Sequence, residues 1–394
     1  MIDYLQEARA HFQYSQAMRR DFHRHPELGF QEFRTAGIVS TELKKLGMEV
    51  KTGLSGTGVM GILDGGQRGK TLLLRFDMDA LPIEEQNQTD YTSQRAGVMH
   101  ACGHDGHMAI GLTAARILSA HREEIPGRVV FVFQPAEEGL GGAAKMIADG
   151  ILEAASADYC LGLHLWNEKP LGWAAIVPGP FMAGADLFRI TLHGKGGHGA
   201  LPEETVDPIL TAAHVVTALQ SIVARNISPL KTAVVSVTAL RAGDAFNVIP
   251  QTAELRGTIR TFENEIRSEV HRRFSEIVNH ISRGMGCEAE VELWKMTPAL
   301  VNQPNITAIV KEIISTSGNV LIEDGLQTMA SEDMAEFLMR LPGCFFMVGS
   351  ANAEKGLNFS HHHPRFDFDE EALVMGAGWI CSAAIGLLSK QPSP

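Results

Sequence analysis

Three short apolar runs constrain the fold of this chain more than any other feature: Thr71-Leu72-Leu73-Leu74-Arg75-Phe76, Arg128-Val129-Val130-Phe131-Val132-Phe133 and Tyr159-Cys160-Leu161-Gly162-Leu163. Each has the length of a buried strand. Each also runs into residues that carry chemistry: Asp77-Met78-Asp79, then Gln134-Pro135-Ala136-Glu137-Glu138, then His164. Helical stretches separate them, an apolar one over 108–120 and a second over 142–149. Alternating β and α segments form a layered sheet, and such sheets place ligands at the C-terminal ends of their strands.

Between the first two runs lies Met99-His100-Ala101-Cys102-Gly103-His104-Asp105-Gly106-His107. A thiol, three imidazoles and a carboxylate share nine positions on a glycine-bearing loop that feeds a helix N-terminus. The bland alternative is a buried cysteine with surface histidines. Further ligand types stand at Glu138, at His164 and in Ser360-His361-His362-His363-Pro364. Thiolate, imidazole and carboxylate together suit zinc or a similar first-row ion. Cys102 and His104, two apart, can chelate from one backbone turn. Glu137 and Glu138 are adjacent. At extended positions they would point opposite ways, one towards a metal and one towards its water. The bland alternative there is a solvated acidic turn. His23 and His25 flank a Pro/Gly corner and read as structural.

At 394 residues the chain exceeds the usual size of one hydrophobic core. The pattern changes near residue 184. Strands over 186–193, 232–240, 252–261 and 288–295, with helices over 206–224 and 263–282, give the order β-α-β-β-α-β of a ferredoxin-like unit. The fold expected is therefore α/β: a discontinuous α/β/α catalytic domain, 1–183 and 297–394, interrupted by a ferredoxin-like domain at 184–296. In the catalytic domain, helices are expected up to about residue 50, then over 304–316 and 332–340, with a strand over 343–348. The uncharged tract 372–389 follows an acidic helix start and reads as a buried helix rather than a membrane span.

A net charge of −12 argues against nucleic acid or an anionic membrane as partner. Five scattered cysteines suggest a reducing compartment. With an acidic amphipathic start unlike a signal peptide, that points to the cytoplasm.

The ordered series His25-Pro26-Glu27-Leu28-Gly29-Phe30, Arg75-Phe76-Asp77-Met78-Asp79-Ala80-Leu81-Pro82, Met99 through Asp105, Gln134-Pro135-Ala136-Glu137-Glu138, Gly162-Leu163-His164, Gly196-Gly197-His198, Asn247-Val248-Ile249-Pro250, Ser331-Glu332-Asp333 and His362-His363-Pro364 spans nearly the whole chain. In these motifs the chain resembles the amidohydrolase branch of the dinuclear-metal aminoacylase/carboxypeptidase family. Its members include hippurate hydrolases, N-acyl-L-amino acid amidohydrolases and plant indole-3-acetyl-amino-acid hydrolases.

The resemblance implies two divalent ions per chain (zinc, manganese, cobalt or nickel) held by Cys102, His104, Glu138, His164 and His362, with Glu137 as general base. Asp79 would orient a ligand. His198, on a glycine-rich turn of the inserted lid and dimerisation domain, would stabilise the oxyanion across a dimer interface. Arg260 and Asn247 would bind the substrate. Asp77 stands where related branches carry a histidine ligand and is left out of the set. His361 and His363 then have bland roles, or His363 lines the pocket. The implied reaction is hydrolysis of N-acyl amino acids by a homodimer or higher homo-oligomer. Carboxypeptidase or dipeptidase action on short peptides is the alternative at the same site. Rivals of another class are Cys102 acting as a nucleophile and a non-catalytic metal- or small-molecule-binding protein. Phe181, Met182 and Phe246 hint at an apolar acyl group.

Overall fold

A computed structural model describes residues 2–390. The chain divides into two compact units. The first comprises residues up to Gly179 together with Val301–Leu326 and the segment from Asp333 onward, and the second Pro180–Leu300 with Gln327–Glu332.

The first unit is built on an eight-stranded mixed sheet. The three apolar runs lie within strands Gln67–Asp77, Pro126–Gln134 and Tyr159–Pro170. Strand 67–77 pairs in parallel with both of the others, and 159–170 pairs in parallel with Gly343–Ala351. Their register sets Asp77 opposite Gln134 and His164 opposite Met347, so the chemistry-bearing ends gather along one edge of the sheet.

Two helices, His104–Ala120 and Glu371–Lys390, pack on these strands and on each other. The first is buried at nearly every position, including Leu112, Ile117 and Leu118, and so has no polar stripe of the kind a surface helix shows. Helix 371–390 is long and apolar enough to span a bilayer by composition. Here it is a core helix, with Trp379, Ile380 and Leu387 buried against the helices 4–10, 104–120 and 304–315.

The helices expected up to about residue 50 are Tyr4–Ala10, Phe12–Arg24 and Phe33–Lys45, and an antiparallel hairpin, Glu49–Leu54 with Gly58–Asp64, follows at the sheet's edge. Two expectations are corrected. The helix expected over 332–340 is confined to Ala335–Leu338, because Asp333 is engaged elsewhere by hydrogen bonds. The helix expected over 206–224 starts only at Pro208, since Val206 forms a bridge with Lys195 and Asp207 caps the helix.

The second unit holds a four-stranded antiparallel sheet in the order 233–241, 252–261, 184–193, 288–297. Helices Pro208–Ser221 and Asn264–Gly284 share a core with it that includes Phe188, Ile190, Leu255, Ile259 and Phe274. The chain order strand-helix-strand-strand-helix-strand is the ferredoxin-like one.

Candidate metal centre

The loop after strand 67–77 returns to the sheet edge at Cys102 and turns into helix 104–120 through Gly103, whose φ of 91° suits a residue without a Cβ. Gly106 meets a second constraint. A Cβ there would lie 2.6 Å from Leu165 Cδ1 and 2.7 Å from Phe368 Cζ. The loop can lie against the 159–170 strand because position 106 has no side chain.

Hydrogen bonds to backbone carbonyls place a proton on Nδ1 of both His104 and His164. His104 Nδ1 donates to the Asp79 carbonyl at 2.9 Å, which leaves the Nε2 lone pair facing the pocket. His164 Nδ1 donates to the Leu165 carbonyl at 2.6 Å, and its Nε2 lies 3.5 Å from Cys102 Sγ. His362 sits in the left-handed region at φ 64°, with its N–H donating to the Ala101 carbonyl. Its Nε2 lies 3.3 Å from Glu138 Oε1. Asp79 Oδ2 accepts from the Glu138 N–H at 3.0 Å, and its Oδ1 stands 3.3 Å from His104 Nδ1. Asp79 thereby ties His104 to Glu138 from behind.

Ligand-type atoms of Cys102, His104 and His164 lie within 4.8 Å of one another, as do those of Cys102, Glu138 and His362 and those of His104, Glu137 and Glu138. Cys102 is common to the first two groups. His104 Nε2 and Glu138 Oε1 stand 4.0 Å apart, and neither makes a hydrogen bond. Two buried polar atoms that face each other without a hydrogen bond are costly unless a cation, a proton or a metal ion, lies between them. The donor set of thiolate, imidazoles and carboxylate fits a first-row divalent ion.

The electrostatics agree. Burial works against a charged His104, yet Asp77 and Asp79 outweigh it and raise its pKa well above the ordinary value, so the pocket favours positive charge. Burial pushes the Cys102 thiol up, and Glu138 adds to that. Burial would raise the Glu138 pKa, but His362 and His104 hold it below the ordinary carboxylate range.

Glu137 and Glu138 depart from the extended arrangement expected of them. Strand 126–134 ends, Ala136 takes a left-handed φ of 55°, and both glutamates fall in the turn that follows. Both carboxylates therefore face His104 instead of opposite sides. Glu137 Oε1 also accepts from the Asp333 N–H at 3.3 Å.

Asp77 is fully engaged. Its Oδ1 takes a 2.6 Å hydrogen bond from His107 Nδ1, and its Oδ2 a 2.6 Å bond from Arg75. His107 Nε2 accepts from the Leu165 N–H, which leaves that ring no lone pair for a metal. His361 was expected to be idle, but its Nδ1 lies 3.8 Å from Cys102 Sγ. His363 stacks on Phe359 at 4.7 Å and accepts from the Arg365 N–H. Of the two histidines at the Pro/Gly corner, His23 is buried between Asp105 and Glu85.

The remaining candidates lie in the second unit. His198 is exposed on the short ladder 197–198/248–249, where its Nδ1 accepts from the Ala200 N–H. Asn247 adjoins it, its carbonyl accepting from the Gly199 N–H. Arg260 is half-buried near the end of strand 252–261, with Nη1 donating to the Ile259 carbonyl and to Thr258. Phe181 and Met182 are buried in the protein and present no open apolar surface, whereas Phe246 is fully exposed.

The donor cluster at the C-terminal ends of the sheet strands is a candidate metal centre, placed where α/β sheets bind their ligands. The chain belongs to peptidase family M20/M25/M40, whose model matches residues 73–385. It is an enzyme of the metallopeptidase/amidohydrolase group. It is 40% identical over 364 residues to "Thermostable carboxypeptidase 1" of Saccharolobus solfataricus, covering 91% of this chain and 92% of that one. It is 37% identical over 371 residues to "N-acetyl-L-cysteine deacetylase" of Bacillus subtilis, covering 94% and 87%. The fold is similar to that of the Bacillus subtilis YXEP protein, described as a dinuclear metal binding peptidase of the M20 family. The TM-score is 0.84 at 33% identity, over 97% of this chain and 99% of that one.

Proposed function

We propose that this protein is a cytoplasmic amidohydrolase that cleaves the amide bond of N-acyl amino acids, with two divalent ions held by Cys102, His104, Glu138, His164 and His362. The observation that carries the reading is the convergence of ligand-type atoms of Cys102, His104, His164, Glu138 and His362, with His104 Nε2 and Glu138 Oε1 facing each other at 4.0 Å and Glu137 beside them. When bound, such ions lower the pKa of water and polarise a carbonyl oxygen. The protein's own groups do the rest. Glu137 takes a proton from the attacking water and returns it to the leaving amine. Asp79 holds His104 in the tautomer that leaves Nε2 free.

His198 is assigned to the oxyanion, and Arg260 with Asn247 to the substrate carboxylate, which a guanidinium can bind through two parallel hydrogen bonds. These assignments rest on the family motifs, and the working form proposed is a homodimer. The name of the Saccharolobus relative supports a second reading, removal of a C-terminal residue from a short peptide.

The test is a panel of benzoyl, acetyl and indoleacetyl amino acids beside blocked dipeptides. Each is assayed on enzyme stripped by chelator and reloaded with zinc, manganese, cobalt or nickel. Turnover of acyl amino acids that vanishes on stripping and returns with metal is expected. Chelator-resistant turnover that is lost on thiol alkylation would replace this reading with nucleophilic cysteine chemistry.

A further inference from the structure

The His361 ring is held from every side. Its Nε2 accepts from the Asn167 backbone N–H at 3.1 Å. A backbone N–H can only donate, so Nε2 carries no proton and Nδ1 does. That Nδ1–H lies 3.8 Å from Cys102 Sγ, within reach of an N–H···S hydrogen bond. Trp166, Phe366 and His164 surround the ring at centroid distances of 5.0, 5.1 and 5.2 Å. Asn167 is itself anchored. Its Nδ2 donates to the carbonyls of Phe359 and Asp367 at 2.9 and 2.8 Å, and its Oδ1 accepts from Ser350 Oγ at 3.0 Å. His164, the other ring against the sulfur, has spent its N–H on the Leu165 carbonyl and can offer Sγ only a lone pair. His361 therefore brings to the sulfur an N–H whose direction is set by the main chain of strand 159–170.

We infer that His361 is a positioning residue for Cys102: its Nδ1–H donates to the thiolate, fixes the direction of Sγ and draws off part of the sulfur's charge. This rests on Cys102 being a metal ligand. A thiolate that accepts a hydrogen bond is a weaker electron donor to its metal, so bound ions keep more of their Lewis acidity. Partners of this kind typically change metal affinity or activity about 10- to 100-fold when removed.

The experiment uses the full-length enzyme loaded with cobalt(II) and reads the near-ultraviolet sulfur-to-cobalt charge-transfer band, together with cobalt retention against a competing chelator. His361→Leu removes the donor. The expected result is a band at longer wavelength. His361→Asn places an amide N–H near the position of Nδ1 and should restore the band, which general loosening of the loop would not. His361→Gln reaches the Asn167 N–H but not the sulfur. It should behave like His361→Leu and serves if that variant fails to fold. An unshifted band in both the Leu and Gln variants overturns the inference while leaving Cys102 as a ligand. Absence of the band in the unaltered enzyme, with full cobalt retained by Cys102→Ala, overturns the ligand assignment and the inference with it.

Discussion

Replacing Arg19 with Met should destabilise the first unit sharply. The Arg19 side chain is fully buried on helix Phe12–Arg24. Its Nε donates to Asp105 Oδ2 at 2.8 Å, one terminal nitrogen to Asp367 Oδ1 at 2.6 Å, and the other to Glu370 Oε1 at 3.3 Å. Its plane also lies 4.4 Å from the Phe368 ring centroid and 4.7 Å from that of Tyr91. Burial alone would raise the Asp105 pKa, but Arg19 and His23 more than reverse it, so Asp105 is an anion. Methionine fills much of the same volume but leaves Asp105 and Asp367 buried without their main cation. Breaking a buried pair from one side costs about 3–5 kcal/mol, whereas an exposed pair is worth about 0–1. Against a total stability of roughly 5–15 kcal/mol, the loss is large.

Urea unfolding followed by tryptophan fluorescence reports mainly on this unit, which holds Trp166, Trp173 and Trp379, with only Trp294 in the other. With a urea slope of about 2–3 kcal/mol/M, the midpoint should fall by roughly 1–2 M. Arg19→Lys should recover little of this, because one ammonium cannot fork to several carboxylates. A loss below about 1 kcal/mol, the value of an exposed pair, would refute the reasoning.

Two more expectations follow from the same loop. His23 lies between Asp105 and Glu85, at 2.8 and 3.2 Å. Burial disfavours its charge, but Asp105 and the hydrogen bonds prevail and raise its pKa from 6.5 to about 9. A raised folded pKa stabilises fully below 6.5 and is lost as pH climbs towards 9, so roughly 3 kcal/mol should disappear across that window. Urea midpoints at pH 6 and pH 9 should differ more in the unaltered protein than in His23→Gln, and equal differences would count against the charged pair. Gly106→Ala forces a Cβ against Leu165 and Phe368. It should cost about 1–3 kcal/mol by overpacking and reduce bound metal, read by melting and by metal analysis.

The parallel strands were legible because buried runs such as 128–133 have no reading other than strand or buried helix, and their length decides between them. The edge hairpin 49–64 was not, since its first strand is largely exposed and lacks apolar alternation. The ligand types were legible as motifs, but their directions were not. The left-handed turn at Ala136 swings both glutamates to one side, and such a φ in alanine has no sequence signature. The supports were hidden for another reason. Arg75 bonds Asp333 from 258 positions away, and His361 meets Cys102 from 259. Contacts at such separation leave no local pattern. For His361, the one available signal was a third consecutive histidine where metal ligation needs one.

Glu137→Gln separates chemistry from metal binding. Glutamine retains an oxygen to accept the Asp333 N–H, so the turn should hold. Metal content of the purified variant should match that of the unaltered enzyme, while kcat on an N-acyl amino acid should fall by about 10²–10⁴, the usual contribution of a general base. Unchanged turnover with a full metal complement would contradict the assignment of Glu137 as the base.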